Sequence, residues 1–193
     1  MANKRTRPLT IEEFHQIDQA MHKGGIGFRP NDKIATALAL EANLGIRIED
    51  ILDLSLNKIV KNGNKRRLNM IEKKTGKQRN FVVPKEIYTF MVNYCNRYGI
   101  APEEKLFPFG ERHVQKYLAT VVWYLDLEDY EMISTHSYRK LYGTTMYYNN
   151  GKDIELVRRL FNHSSTRITQ TYIGVTDAQM ENAIENHTIL PEG

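Results

Sequence analysis

Residues 135–172 read THSYRKLYGTTMYYNNGKDIELVRRLFNHSSTRITQTY, and four of them suit chemistry on a phosphodiester: His136, Arg139, His163 and Tyr172. His136 and Arg139 lie three apart in a predicted helix, so both project from one face. His163 falls where a second helical run breaks at NHSS, and Tyr172 follows nine residues later in a third. Breaking a phosphodiester without a metal requires neutralised non-bridging oxygens, a nucleophile and a proton for the departing alkoxide. Guanidinium groups meet the first need, because they stay charged and fork onto two oxygens. A phenol meets the second, forming a stable but reversible phosphoester. A lysine on a mobile hairpin meets the third as general acid. Upstream, Arg47 and Lys74 supply a second guanidinium and that lysine, with His136 and His163 as further hydrogen-bond donors. No acidic cluster of the kind that holds two magnesium ions stands in the sequence, so no metal and no cofactor are expected.

The elements that must position these groups follow from the pattern. MANKRTRP opens the chain as a short basic arm, expected to be mobile until it meets a partner. Thr10 and Glu13 form a capping box for a helix running to about Met21. HKGGIGF is a loop. Asn31 caps NDKIATALALEANLG, a core helix stopped by Gly45. Arg47 follows at once, pinned between buried segments, where pairing with Asp50 or Glu49 is the plainer role. Ile48, Ile51, Leu52 and Leu54 are expected inward on a short helix. Three strands then form a meander: LSLNKIV, RRLNMIE and QRNFVVP, joined by hairpin turns at Asn62-Gly63 and Thr75-Gly76. Lys74 stands at the second tip, with Lys73 as its rival for the acid. Pro84 opens a helix ending at Gly99, and ERHVQKYLATVVWYLDL is another, with His113 on its surface. Tyr138 and Tyr142 sit at helical spacing and read as packing, whereas Tyr147 and Tyr148 end their helix.

Composition bounds the function. The 193 residues carry a net charge of +4 and a pI near 9.0, which permits a nucleic-acid partner without requiring one. Cys95 is the single cysteine, so neither a disulfide nor a cysteine metal site forms within the chain, and its apolar neighbours make it a packing residue. No apolar run approaches membrane-spanning length and no hydrophobic signal core opens the chain, so a cytoplasmic location with no membrane partner is expected.

The residues resemble a known family. Arg47 in LGIRIEDILDL, Lys74 in KKTGK, HSYR, FNH and a Tyr nine residues on are similar, in order and local context, to the tyrosine recombinase (phage integrase) family. The resemblance spans roughly residues 8–187, that family's whole catalytic domain. It implies an α+β, mostly α-helical fold with a small three-stranded antiparallel sheet. The chain then divides into a basic arm over 1–9, a catalytic domain over 10–187 and a tail over 188–193. By the same resemblance Arg47 and Arg139 clamp the phosphate, Lys74 protonates the leaving 5′ oxygen, and His136 and His163 bind phosphate and move protons. Tyr172 becomes the nucleophile of a 3′-phosphotyrosyl bond, and Asp50 supports Arg47. Asn162 departs from the family's usual glycine before the second histidine, but asparagine tolerates left-handed backbone well.

What the resemblance implies is a metal- and ATP-independent site-specific recombinase acting on double-stranded DNA attachment sites. It would work as a tetramer on two duplexes, with a monomer allowed without DNA, and with directionality or host accessory factors as further partners. TDAQMENAIENHTIL is the candidate contact with a neighbouring protomer. The chain has no room for the family's N-terminal core-binding domain, so it reads as a catalytic piece of a longer integrase or a naturally short member. Two alternatives stand beside this: an inactive DNA-binding module of the same fold, and a type IB topoisomerase-like strand-passage enzyme.

Overall fold

Thr10 begins the first helix with the expected reciprocal cap: its hydroxyl accepts from the Glu13 N–H, and the Glu13 carboxylate accepts from its own N–H. The computed structural model describes residues 6–173, so the TDAQMENAIENHTIL segment lies outside the described residues. Helix α1 (Ile11–Lys23) is followed by α2 (Asp32–Leu44), capped by the Asn31 side chain and stopped by Gly45 in the left-handed region at φ 61°. The alanines and leucines of α2 are buried, including Ala37, Leu38, Leu40 and Leu44. Helix α3 (Ile48–Ile51) is a single turn, and Ile48, Ile51, Leu52 and Leu54 are all buried as its amphipathic pattern requires.

Strands β1 (Ile59–Asn62), β2 (Lys65–Ile71) and β3 (Gln78–Val83) form one antiparallel sheet in sequence order. The register closes with Asn62 opposite Lys65 and Ile71 opposite Gln78. Gly63 and Gly76 take positive φ in the two turns, as hairpins of this kind need. The first strand is shorter than its sequence suggests, because Leu56–Lys58 coil into a 3₁₀ turn. There the Ser55 hydroxyl bonds the Asn57 side chain, and the Asn57 N–H goes to the Pro102 carbonyl, which removes that donor from the ladder.

Helices α4 (Lys85–Tyr98) and α5 (Glu111–Tyr124) follow. Cys95 is buried against the core, and His113 is exposed. Helix α6 (Thr135–Asn149) packs its first half against α2, and α7 (Ile154–Leu160) and α8 (Thr166–Ile173) close over its other side. Two glycines permit that closeness. A Cβ on Gly45 would overlap the Tyr142 ring, and one on Gly143 would come within 2.6 Å of Phe161.

The second half of the basic arm is packed onto the body. Leu9 is buried, the Arg7 guanidinium bonds the Glu13 carboxylate and the Glu128 carbonyl, and the Lys140 ammonium donates to the Thr6 carbonyl. Among the described residues no helix is long and apolar enough to cross a membrane.

Candidate active site

Arg139 lies at the centre. Placed on the first turns of α6, whose start is closed by Ser134 and Ser137, it is wholly buried. One guanidinium nitrogen donates to the Gly45 carbonyl at 2.8 Å and the other to the Phe161 carbonyl at 3.5 Å. Its Nε has no partner among the described residues. The guanidinium carbon stands 4.6 Å from the Phe161 ring centre and 5.8 Å from that of Tyr172. Burial, with the nearby charges of Arg47 and Arg79, lowers its pKa to about 10, so it remains a cation at neutral pH. Glu41, also fully buried nearby, has both carboxyl oxygens without a bonded partner among the described residues. Its pKa is pushed well up by burial, against the opposing charge of Arg139 and an Ile48 amide that favours the anion from outside bonding geometry.

His163 is delivered by a tight turn. Its N–H returns to the Arg158 carbonyl, and Asn162 before it takes φ 56°, the left-handed backbone expected at that position. The imidazole Nδ1 lies 3.0 Å from the Thr169 hydroxyl, which itself donates to the Ser165 carbonyl at 3.4 Å. In the tautomer in which the Thr169 hydroxyl gives its proton to the Ser165 carbonyl, Nδ1 donates to that hydroxyl and Nε2 is left as an acceptor. Burial first, then the charges of Arg139 and Arg47, lower the His163 pKa to about 4, so the ring is neutral. Its centroid is 5.0 Å from that of Tyr172, and Phe161 packs against both rings.

Arg47 approaches from the other side, and its partner differs from the one its sequence context suggests. Neither Asp50 nor Glu49 bonds it; Glu72, at the end of β2, does so at 2.9 Å. Arg47 sits in extended backbone just before α3, so its side chain does not share a helix face with residues three further on. Nor does Asp50 support Arg47 directly: its Oδ1 accepts the Lys73 N–H at 2.9 Å. His136 is lowered in pKa by burial and then by the charges of Arg139, Lys74 and Arg47, so the charge at the hairpin tip is felt on α6. Lys73 is paired with Asp53 at 3.2 Å, whereas Lys74 is exposed at the tip.

The structure thus gathers Arg47, His136, Arg139, His163 and Tyr172 and brings Lys74 to their edge. Tyr138 and Tyr142 are buried in packing, and Tyr147 and Tyr148 stand edge to face at the far end of α6. Sequence reasoning overlooked Glu72 and Arg79, which meet beside Arg47 at 3.1 Å. Their signal was present in the period-two pattern. Leu68 and Met70 fall on one face of β2 with Glu72 next in the same row just past its end, and Arg79, Phe81 and Val83 fall on one face of β3. A charge in each inward row calls for the other. Among the described residues no three His, Cys, Asp or Glu side chains gather to hold a metal.

Chemically, the pocket combines fixed cations, a neutral histidine whose Nε2 has no partner among the described residues, and a phenol ring packed at a tilt beside it. Such a set suits a phosphate diester whose negative charge the arginines accept while the phenol attacks.

Comparison with known proteins points the same way. The phage integrase family model matches residues 7–179. The chain is 28% identical to tyrosine recombinase XerA of Pyrococcus furiosus over 95% of its own length and 63% of that protein's. It is 31% identical to the probable integrase/recombinase YoeC of Bacillus subtilis, over 70% of this chain and 74% of that one. Among solved structures, the XerH site-specific recombinase bound to palindromic difH substrate superposes with a TM-score of 0.70 at 17% identity, covering 95% of this chain and 54% of that one. A lambda integrase dimer bound to a COC′ core site gives a TM-score of 0.67 at 16% identity, covering 90% and 61% respectively. The chain therefore spans less than two thirds of the length of several proteins it matches.

Proposed function

The chain belongs to the phage integrase family, and from that premise we propose that it is a site-specific recombinase that cuts and rejoins DNA strands through a covalent tyrosine intermediate. The observation that carries this reading is the packing of the Tyr172 ring against His163, at a tilt of 54° and 5.0 Å between centroids, beside the buried guanidinium of Arg139. Arg139 and Arg47 hold the non-bridging oxygens of the scissile phosphate, with His136 adding a hydrogen bond. The Tyr172 oxygen attacks phosphorus, and its proton passes to Nε2 of the neutral His163. The bond to the 5′ oxygen breaks, and that oxygen takes a proton from the Lys74 ammonium. The product is a 3′-phosphotyrosyl bond and a free 5′ hydroxyl. The 5′ hydroxyl of a second strand reverses the step, so the broken backbone's energy is retained and neither metal nor ATP enters. In this reading four protomers act on two double-stranded attachment sites in the cytoplasm, with accessory factors setting direction.

The test is covalent capture. Nicked duplexes with a randomised core are incubated with the protein in the absence of added metal, and SDS-resistant complexes are recovered and sequenced. Wild type is expected to enrich a defined core and to give a covalent band on a denaturing gel that Tyr172→Phe lacks. A band that survives Tyr172→Phe would move the nucleophile elsewhere. DNA binding with no covalent band from wild type would refute cleavage by this chain.

A further inference from the structure

The turn that carries Lys74 is exposed from Lys73 to Lys77, and the last buried residue before it is Glu72, only 1% exposed. Glu72 closes the base of that turn through its backbone: its N–H donates to the Lys77 carbonyl at 2.9 Å, and its carbonyl accepts the Gly76 N–H at 2.8 Å. Its carboxylate is shared three ways. Oε2 accepts from Arg47 at 2.9 Å and from the Thr75 hydroxyl at 2.6 Å, and Oε1 accepts from Arg79 at 3.1 Å. Burial opposes the charge, but these hydrogen bonds outweigh it and hold the carboxyl below its ordinary range. Arg79 then reaches across to the Leu160 carbonyl at 2.5 Å. Lys77 donates to the Asn162 carbonyl at 3.1 Å from the same strand end. Both acceptors belong to the turn that delivers His163.

We propose that Glu72 is a positioning residue for strand cleavage: it sets the Lys74 turn in register with Arg47 and, through Arg79, with the His163 turn. The inference rests on the recombinase reading above and adds a residue to it. A five-residue exposed turn has many conformations, and a general acid is effective only within hydrogen-bond reach of the oxygen it protonates. Glu72 reduces that freedom from the base of the turn. One carboxylate between two guanidiniums still leaves the corner cationic, so a phosphate is not repelled.

The test exploits the leaving group. A captured duplex is synthesised with either oxygen or sulfur bridging phosphorus to the 5′ carbon. In the sulfur form the phosphorus–sulfur bond breaks with its electron pair on a thiolate, which needs no proton, so the acid becomes dispensable. Glu72→Ala and Glu72→Gln are compared with wild type and Lys74→Ala in single-turnover covalent-complex formation. DNA affinity is measured separately on the Tyr172→Phe background. Loss of the carboxylate also unties Arg47 and Arg79, so some slowing common to both substrates is expected, but the oxygen substrate is expected to slow about 10- to 100-fold more than the sulfur one, the pattern of a misplaced acid. The sulfur-to-oxygen rate ratio does not depend on how much protein is folded, so a destabilised variant still reports. Equal slowing on both substrates, with Lys74→Ala rescued by sulfur, would overturn the proposal. Faster cleavage or tighter binding by Glu72→Ala would overturn it too, by making Glu72 a block on Arg47. A wild type that forms no complex on either substrate would refute the recombinase reading itself.

Discussion

At the scale of single residues, the site is an exercise in holding charge and neutrality side by side. His163 titrates near 6.5 when unfolded and at about 4 in place, chiefly because burial disfavours its cation. Between those two values the unfolded chain binds a proton that the folded chain refuses. Stability therefore rises with pH across that window, and is lost as pH falls from about 6.5 to about 4. The gap of roughly 2.5 pH units corresponds to on the order of 3 kcal/mol at most. Urea melts of wild type and His163→Gln at pH 7 and pH 4.5 should show a steeper acid loss for wild type. Parallel curves would mean the imidazole is as free to protonate in the fold as outside it. The reactive residue types were legible in the sequence because their chemistry restricts them: only a few side chains can clamp a phosphate or carry it covalently. Their partners were not. Arg47 bonds Glu72, 25 positions away in sequence, and Arg139 bonds backbone carbonyls at 45 and 161, which no local pattern encodes.

At the scale of elements, caps and turns were the readable part. Thr10 with Glu13, Asn31, Gly45, Pro84 and Gly99 all stand where their local chemistry places them. The 3₁₀ turn at Leu56–Lys58 was hidden, because the Asn57 bond to Pro102 that causes it spans two distant loops. Gly45 does more than end α2. It takes positive φ, faces the Tyr142 ring and lends its carbonyl to Arg139. Gly45→Ala combines left-handed strain with a steric overlap, costing on the order of 2–5 kcal/mol. The melting temperature should drop by roughly 5–15 °C, and covalent-complex formation should fall further than stability alone explains, since Arg139 loses its anchor. An unchanged melt would show that α6 can retreat from α2 without loss.

At the scale of the whole molecule, positive charge is concentrated on one feature. Lys61, Lys65, Lys73, Lys74 and Lys77 are all exposed on the sheet and its turns, with Lys73, Lys74 and Lys77 on the turn nearer the reactive cluster and Lys61 and Lys65 at the other end of β2. If about five phosphates are engaged, duplex affinity should fall roughly 500-fold between 50 and 200 mM salt. Fluorescence anisotropy with Tyr172→Phe would measure that slope, and a flat response would place the DNA on another surface. The amino end of the described chain has a mechanical meaning of its own. The Arg7 N–H is tied to the Met132 carbonyl, the Leu9 N–H to the Ser137 carbonyl, and the Thr6 carbonyl to Lys140. Ser137 and Lys140 are the immediate neighbours of His136 and Arg139. Tension applied to the polypeptide at that end is therefore shared between α1, the segment before α6 and α6 itself, where it arrives one residue from each reactive group.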